Sequence, residues 1–438
     1  MTFLREGDMI QISEISKLDK RDKEKIIKRS SEDIWSIYEY VKEIVIRVKE
    51  KGDRVYYEQL KREGISLGPL EVQEEEIDRA FKELDRDILR ALEVASKNIE
   101  RFHMEQLEKN MWQVEISDGI IAGMMRRPIE KVGCYIPGGR ASYPSTALMT
   151  VIPAQIAGVK EIVAVTPPRE DMKVPPSVLV ALRLSGCHRI FKIGGPWAIA
   201  SLAYGTESIP KVFKIVGPGN RYVTAAKMVV FGDVDIDSPA GPSEVLILAD
   251  GEADPKLIAM DLLSQAEHDP DSASILVTTS EEVAVETAKM IDHIFKDMEN
   301  QELLNESLKK YTHILIARDM EEAVEFVNEY APEHLEIHTK EPFVTLSMID
   351  NAGSIFLGPW SCVPIGDYAS GTNHVLPTAQ CARAFSGLSI YEFQKCITYQ
   401  YLSKKGLENL KDTVITLSKI EGLPLHGEAV RCRVNNKG

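Results

Sequence analysis

The chain of 438 residues has few cysteines, and no two of them form a CxxC pair. Thiolate zinc sites are usually built on such pairs, so we expect any metal to be held by nitrogen and oxygen ligands. Scattered single cysteines also favour a reduced, cytoplasmic setting in which they act as small core residues. The six cysteines are Cys134, Cys187, Cys362, Cys381, Cys396 and Cys432.

Long apolar runs and an excess of positive charge are also missing. No apolar stretch approaches the roughly 18–20 residues of a membrane-spanning helix, and the first residues lack the apolar core of a signal peptide. Lysine and arginine number 52 against 67 aspartates and glutamates, which gives a formal net charge of −15. Because such a chain repels phosphate backbones and anionic lipid, we expect neither nucleic acid nor membrane as a partner.

The GxGxxG fingerprint of ordinary dinucleotide-binding folds is absent, but other glycine turns follow predicted strands. Backbone N–H groups in such turns, and at the helix starts behind them, favour anionic groups. Since ligands bind at the carboxyl ends of parallel strands, the turns indicate either a nucleotide or phosphate site of non-standard geometry or simple reversals of the chain. The turns are Pro137–Arg140, Gly194–Pro196 and Gly217–Asn220.

The first part of the chain is charged and helical in pattern, and short β-rich runs then alternate with helical ones. This alternation is typical of parallel βαβ units and predicts an α/β fold with two incomplete Rossmann-like domains and helical extensions at both ends. We expect an N-terminal helical extension over 1–30, a discontinuous first α/β domain over 31–133 and 242–388, an inserted second α/β domain over 134–241, and a helical tail over 389–438. Predicted strands are Val132–Ile136, Glu161–Thr166, Arg189–Ile193, Val212–Val216, Val245–Ala249, Ser274–Thr279, Thr312–Ala317 and Gly353–Phe356.

Two polar segments place histidines beside oxygen-bearing side chains. Gln265 and His268 stand three apart near the end of a predicted helix, a pairing that suits a divalent metal but is also typical of a solvated helix surface. Glu333 and His334 lie where a helix joins a strand. They offer two proton-transfer groups, or else an element start followed by a half-buried strand residue.

Two later segments add further candidates. Asp367 and His374 lie in a long polar loop, where Asp367 can complete a metal site and His374 can contact a substrate. A hydrogen-bonded loop without chemistry is the alternative. His426 lies in the C-terminal tail, where a single histidine is normally solvated and inert.

Taken together, these motifs resemble the histidinol dehydrogenase family of the histidine biosynthesis pathway. The resemblance covers about residues 130–430 and extends loosely into the helical part before them. The matching segments are Gly133–Gly139, Leu202–Thr206, Val216–Asn220, Ala240–Val245, Asp261–His268, Ala331–Leu335 and Gly366–Pro377.

The resemblance implies a cytoplasmic zinc enzyme that oxidises L-histidinol to L-histidine, a four-electron reaction through bound L-histidinaldehyde that uses two NAD molecules. It also implies a domain-swapped homodimer with one Zn2+ per subunit, in which the tail of one subunit contributes to the partner's active site. On this view the first α/β domain carries the zinc and catalytic residues and the second binds NAD. The zinc ligands carried over by motif would be Gln265, His268, Asp367 and His426.

The same resemblance assigns the other site residues. His334 would be the general base of both oxidation steps, and Glu333 would activate the water that hydrates the aldehyde. Substrate contacts would come from His334, the zinc ligands, Ser243, His374 and Glu421. NAD contacts would come from Tyr135, Trp197 and Asn220.

One position departs from the family pattern. After Gly194-Gly195 the family usually has Ala-Gln, whereas this chain has Pro196-Trp197. An indole offers no amide oxygen to a cofactor, although it can stack on a ring. The departure motivates an alternative, a same-family NAD-dependent dehydrogenase of another small amino alcohol or diol such as sulfopropanediol. A non-catalytic metal- or nucleotide-binding relative is disfavoured because the Glu-His pair and every predicted ligand are present.

Overall fold

A computed structural model describes residues 10–29, 34–138, 141–238, 241–298 and 301–435. The α/β class is confirmed, with helices surrounding two parallel sheets. The chain divides into two units. The first runs to Gln106 and continues over Glu130–Phe393, and the second combines Leu107–Ile129 with the residues from Gln394 onwards. None of the helices in the described ranges has the length and apolar character needed to cross a membrane.

The strands fall in three sheets. In chain order they are β1 (Gln11–Glu14), β2 (Met111–Ser117), β3 (Ile120–Pro128), β4 (Lys131–Tyr135), β5 (Glu161–Thr166), β6 (Arg189–Lys192), β7 (Lys214–Val216), β8 (Asp235–Ile236), β9 (Glu244–Ala249), β10 (Ala273–Thr278), β11 (Thr312–Ile316), β12 (His334–His338), β13 (Ser354–Leu357) and β14 (Gln394–Leu402).

The helices connect and cover these strands. In chain order they are α1 (Lys20–Lys28), α2 (Ile34–Lys51), α3 (Arg54–Arg62), α4 (Glu74–Glu83), α5 (Arg86–Met104), α6 (Pro144–Ile156), α7 (Pro176–Leu184), α8 (Gly195–Tyr204), α9 (Arg221–Val230), α10 (Pro255–Ala266), α11 (Glu281–Phe295), α12 (Gln301–Tyr311), α13 (Met320–Tyr330), α14 (Pro342–Leu346), α15 (Val363–Tyr368), α16 (Lys404–Ile420) and α17 (Pro424–Asn435).

The first unit contains both parallel sheets. A six-stranded sheet has the order β1-β11-β10-β9-β12-β13, and a five-stranded sheet has the order β6-β5-β4-β7-β8. The second unit contains an antiparallel sheet of order β14-β3-β2 together with α16 and α17.

Strands β9 and β12 lie side by side inside the six-stranded sheet and show why the candidate site forms there. In β9 both faces are apolar: Val245 and Ile247 face one core cluster, and Leu246 and Leu248 face another. This is typical of a parallel strand covered by helices on both sides. In β12 Leu335 and Ile337 join the second cluster. Because side chains alternate along a strand, His334, Glu336 and His338 share the opposite face of β12.

All eight predicted strands are present, with ends that differ by no more than two residues. Two segments predicted as helical are strands instead. Gln11–Glu14 forms the edge strand β1, paired in parallel with β11, within the expected helical extension over 1–30. Gln394–Leu402 forms β14, paired along its length with β3, within the expected helical tail over 389–438. Gln11–Glu14 is short and mostly polar, so its pairing with β11 rather than local pattern determines its conformation. In β14, Ile397, Tyr399 and Tyr401 alternate with polar residues, a pattern typical of a strand that the expectation of a helical tail did not take into account.

Candidate active site

Glu333 and His334 lie at the start of β12, against the first residue of β9. The backbone N–H of Glu244 donates to Glu333 Oε2 at 2.9 Å, and the backbone N–H of Glu333 donates to Glu244 Oε1 at 3.1 Å. His334 Nδ1 lies 3.1 Å from the carbonyl oxygen of Glu244. A carbonyl only accepts, so Nδ1 carries the hydrogen, and Nε2 is the basic nitrogen of the neutral ring.

Arg29 anchors Glu244 from the other side. Its guanidinium forms a buried ion pair with the Glu244 carboxylate and donates to the carbonyls of Tyr330 at 3.0 Å and Ala331 at 3.2 Å. The group also stacks over the Tyr330 ring, 3.7 Å from its centroid. Ala331 has a positive φ of 50° and ends α13, so Arg29 holds the turn that leads into Glu333.

His334 faces Asp367, which α15 supplies. His334 Nε2 lies 3.5 Å from Asp367 Oδ1, without hydrogen-bond alignment, and it has no hydrogen-bond partner among the described residues. His334 is 4% exposed, so this unpartnered nitrogen is buried. A buried polar atom without a partner is costly, so Nε2 is available to hydrogen-bond a bound molecule.

The charges around this pair shift its proton affinities. Burial raises the pKa of Glu333 to about 8, with Glu244 and Asp367 adding to the rise and His334 opposing it. Burial opposes protonation of His334, but Glu333 and Asp367 outweigh it and raise the pKa of His334 to about 9. Burial also opposes ionisation of Asp367, but His334, His374 and His268 outweigh it and hold the pKa of Asp367 below its usual value. The protonation of Glu333, His334 and Asp367 is therefore coupled.

Gln265 lies in the last turn of α10, and His268 follows two residues after the end of this helix. Gln265 is 2% exposed, and its amide nitrogen has no hydrogen-bond partner in the described part of the chain. His268 is exposed, and its backbone N–H donates to the carbonyl of Gln265 at 3.3 Å. His268 also acts electrostatically on Asp367, which relates α10 to α15.

His374 is held by two hydrogen bonds. Its Nδ1 donates to the carbonyl of Asp367 at 3.1 Å, and its Nε2 lies 3.0 Å from Thr146 Oγ1 on α6. The neighbouring Asn373 donates to the carbonyl of Met149 at 2.6 Å. Burial lowers the pKa of His374, so the ring is neutral and accepts from the Thr146 hydroxyl. The loop after α15 is thus fixed to the helix that follows β4.

The predicted NAD residues lie around the five-stranded sheet. Tyr135 ends β4, is 5% exposed, and accepts a hydrogen bond at its hydroxyl from the backbone N–H of Gly195 at 3.2 Å. Asn220 caps α9, where its Oδ1 accepts from the N–H groups of Tyr222 and Val223. Trp197 is half-buried in the first turn of α8, with its ring centroid 6.2 Å from that of Tyr56.

A cleft of about 670 Å³ opens at the carboxyl ends of β4 and β5. Its lining includes Pro137, Gly138, Ser142, Thr166 and Pro167. Carboxyl strand ends are where open α/β sheets bind ligands, so the position suits part of a nucleotide. Residues 139 and 140 of the predicted turn Pro137–Arg140, and residue 240 of the Ala240–Val245 motif, lie outside the described residues.

The remaining candidates are further apart in the chain. Ser243 is half-buried just before β9, and its carbonyl accepts from the N–H of Ala273 at 3.2 Å. Glu421 ends α16 and His426 lies in α17, both exposed and both within the second unit.

Sequence reasoning missed two groups of residues. Glu244 was part of a matching motif, but its pairing with Arg29 joins positions 215 residues apart and leaves no local pattern.

A second group lies one step along β12 from His334: ligand atoms of Asp261, Glu336 and His338 lie within 4.8 Å of one another. Among the described residues, His268 and Asp367 belong to no such group of acidic, histidine or cysteine side chains. In a predicted strand, His334, Glu336 and His338 would share one face, so their spacing in the sequence could have indicated the second group.

The fold and the site define an α/β enzyme with a buried acid–histidine pair beside an ionised carboxylate. Comparison with known proteins gives the family. The histidinol dehydrogenase family model matches residues 27–434. The chain is 49% identical to the histidinol dehydrogenase of Methanothermobacter thermautotrophicus over 97% of this chain and 100% of the relative, and 50% identical to that of Methanocaldococcus jannaschii over 97% and 98%.

A solved structure agrees with these relatives. The crystal structure of histidinol dehydrogenase from Elizabethkingia anophelis superposes with a TM-score of 0.90 at 38% identity, covering 98% of each chain. The chain belongs to the histidinol dehydrogenase family.

Proposed function

We propose that the chain is an NAD-dependent oxidoreductase that converts L-histidinol to L-histidine through bound L-histidinaldehyde, the last steps of histidine biosynthesis. The observation that carries this proposal is the arrangement of His334. Its Nδ1 donates to the Glu244 carbonyl. Its Nε2 is buried, has no hydrogen-bond partner among the described residues, and lies 3.5 Å from Asp367 Oδ1. Membership of the histidinol dehydrogenase family supplies the substrate.

We infer that Gln265, His268 and Asp367 hold one Zn2+ together with His426 of the partner subunit. The set offers an amide oxygen, two imidazole nitrogens and a carboxylate, a donor set that zinc accepts. The lowered pKa of Asp367 fits this assignment, because a carboxylate binds zinc in its ionised form. When bound, zinc would orient the substrate through its nitrogen donors and act as a Lewis acid.

In the first half-reaction His334 removes the hydroxyl proton of histidinol. Nε2 is the nitrogen that takes this proton, because Nδ1 already donates to Glu244. The alcohol loses one proton to His334 and one hydride to NAD, which leaves the aldehyde. A positioned base of this kind typically contributes about 10²–10⁴ in rate.

In the second half-reaction Glu333 prepares water for attack on the aldehyde. Its Oε2 accepts from the Glu244 N–H, which fixes the orientation of the carboxylate. His334 first releases its proton to solvent. Glu333 takes a proton from water as the water oxygen adds to the aldehyde, which gives the anion of the hydrate, and His334 takes the remaining hydroxyl proton as the second hydride leaves. One alcohol, one water and two NAD thus give one carboxylate, two NADH and three protons.

We assign NAD to the carboxyl ends of β4 and β5, near Tyr135 and Asn220. The cleft at this edge and the helix starts behind it support the assignment. Oδ1 of Asn220 caps α9, so its amide NH2 group is the donor left for a cofactor. Trp197 packs on Tyr56, and we assign it the role of fixing the start of α8, whose Gly195 N–H meets Tyr135.

We further propose that Ser243, His374 and Glu421 contact the substrate and that the enzyme is a domain-swapped homodimer. Glu421 and His426 are exposed residues of the second unit, as expected of side chains that serve a partner subunit. His374 would contact the substrate by exchanging its bond to the Thr146 hydroxyl.

The test is NADH formation by the zinc-loaded protein with L-histidinol. We expect two NADH per histidinol consumed, and loss of at least 100-fold in the rate for His334→Asn. His293→Asn, which changes an exposed histidine of α11, is the matched control and should retain the rate. No turnover of L-histidinol, with turnover of a diol such as sulfopropanediol, would support the alternative substrate class instead.

A further inference from the structure

A second cluster of metal-binding side chains lies on the same face of β12 as His334. Asp261 projects from α10, and Glu336 and His338 from β12, with one ligand atom of each lying within 4.8 Å of the others. Glu336 is 0% exposed and His338 is 4% exposed. None of the three belongs to the proposed zinc site or to the proton-transfer pair.

The polar atoms of this cluster are incompletely satisfied. Within the described residues, neither ring nitrogen of His338 forms a hydrogen bond, and Glu336 Oε2 accepts none. Glu336 Oε1 accepts from the backbone N–H of Val363 at 2.8 Å, which leaves Oε2 directed into the cluster. His338 Nε2 lies 3.3 Å from Glu336 Oε2. A buried imidazole with two unpartnered nitrogens is rare, because each such group costs free energy.

The two acidic side chains of the cluster also favour a bound cation. Asp261 and Glu336 are two acidic groups in contact, and no lysine or arginine in the described ranges forms an ion pair with either of them. Burial and the neighbouring Glu336 both oppose ionisation of Asp261 and raise its pKa to about 8. A positive ion between the two carboxyl groups would remove this repulsion.

The donor set and spacing fit a first-row divalent ion. Two carboxylate oxygens and one imidazole nitrogen suit Zn2+ or Mn2+. Bonds of about 2.0–2.1 Å in a tetrahedral site place neighbouring donors about 3.4 Å apart, close to the 3.3 Å between His338 Nε2 and Glu336 Oε2. Asp261 is half-buried, so the cluster has a solvent-facing side for ion entry and for a water ligand.

We propose that Asp261, Glu336 and His338 form a second divalent-metal site, separate from the proposed catalytic zinc. Its position gives it a structural role. Asp261 lies four residues before Gln265 on α10, Glu336 lies two residues after His334 on β12, and Glu336 holds the first turn of α15, which carries Asp367. An ion bound here would link the three elements that carry the active-site groups.

The experiment is metal counting on the full-length protein after zinc loading and desalting. For each variant, zinc per chain is measured by elemental analysis, and binding of Zn2+ alone is followed by calorimetry. Asp367→Asn tests the proposed catalytic site, whereas His338→Gln and Asp261→Asn test the second cluster. His103→Gln, a buried histidine of α5 outside both sites, is the matched control.

We expect two zinc ions per chain in the unaltered protein and in His103→Gln, one in Asp367→Asn, one in His338→Gln and in Asp261→Asn, and none in the Asp367→Asn/His338→Gln double variant. Added Zn2+ should raise the melting temperature of Asp367→Asn but not that of the double variant. A single ion in the unaltered protein that Asp367→Asn removes would overturn the second site, even if His338→Gln fails to fold.

The second site does not depend on the proposed function. If His338→Gln loses an ion while Asp367→Asn loses none, the second site stands and the zinc assignment to Asp367 fails. If His338→Gln and Asp261→Asn are folded by circular dichroism and lose no ion, the second site is wrong, whatever Asp367→Asn does.

Discussion

Glu244 and Glu333 exchange hydrogen bonds: the backbone N–H of each donates to the carboxylate of the other, at 2.9 and 3.1 Å. This reciprocal pair joins the starts of β9 and β12 and determines where the Glu333 carboxylate lies. Glu244 also binds Arg29 through its side chain and His334 through its carbonyl. One residue that touches no reacting atom therefore positions both proposed proton-transfer groups.

Glu244→Gln should damage both stability and catalysis. The amide cannot pair with the Arg29 charge, and breaking a buried ion pair from one side typically costs about 3–5 kcal/mol in the free energy of unfolding. We expect kcat to fall at least tenfold with a smaller change in KM, because the substrate contacts themselves remain. Chemical denaturation and steady-state kinetics measure the two effects. Glu252→Gln, which changes an exposed partner of Lys340, is the control, and equal behaviour of the two variants would contradict the positioning role.

Tyr135→Phe should weaken the binding of NAD without weakening the binding of histidinol. The change removes the hydroxyl that accepts from the Gly195 N–H at the start of α8 and leaves the rest of the ring in place. Loss of one hydrogen bond of about 1 kcal/mol predicts a rise of about fivefold in the KM for NAD, with an unchanged KM for histidinol. Tyr204→Phe, whose hydroxyl donates to Asp233 on another part of the surface, is the matched control. Equal rises in both KM values would argue against the cofactor assignment.

His313 should make the protein less stable in acid. Burial lowers its pKa to about 4 in the folded state, against about 6.5 in the unfolded chain. Below pH 6.5 His313 therefore binds a proton in the unfolded state but not in the folded state. The free energy of unfolding falls as a result until pH approaches 4. The full effect is about 3 kcal/mol.

His313→Gln removes this titration, and denaturant unfolding at pH 7 and at pH 4.5 measures it. The difference in stability between the variant and the unaltered protein should shift by about 2–3 kcal/mol in favour of the variant at the lower pH. Parallel pH dependences would show that His313 is not held neutral. His293→Gln, at an exposed helix position, should follow the unaltered protein.

The rate of histidinol oxidation should rise between pH 7 and pH 9. In the proposed mechanism Glu333 and His334 act as bases in their deprotonated forms, and their pKa values are raised to about 8 and about 9. As pH increases through these values the reactive forms become populated, so kcat increases. Steady-state rates at constant ionic strength measure the profile. A kcat that falls over this range would contradict the assignment of these two residues as bases.

Much of the fold followed from pattern alone. Most strands of the two parallel sheets are buried apolar runs, and Glu161–Thr166 has the predicted ends. Strand β1 was not predictable, because its four residues show no two-residue apolar repeat and its partner β11 is distant in sequence. Strand β14 was missed although Ile397, Tyr399 and Tyr401 do alternate with polar residues.

Some residues of the candidate site were also predictable from the sequence, and others were not. Glu333, His334, Asp367 and His374 were predicted because each lies in a segment dense in polar groups, and the structure brings these four together. Arg29 could not be predicted, because its role depends on a contact with Glu244 across 215 positions. Trp197 could be recognised in the sequence as a departure from the family pattern. Its contact with Tyr56 could not, because that contact forms only in the folded chain.

Glu333→Gln tests the central claim most directly, because it separates the two half-reactions. Glutamine keeps an oxygen that can accept from the Glu244 N–H but cannot take a proton from water. Rapid-mixing measurements of the first NADH from histidinol, and of NADH from added histidinaldehyde, give the two rates. Glu325→Gln, at an exposed position of α13, is the control. We predict that alcohol oxidation stays within about tenfold while aldehyde oxidation falls by at least about 100-fold; equal loss in both steps would contradict the division of labour between Glu333 and His334.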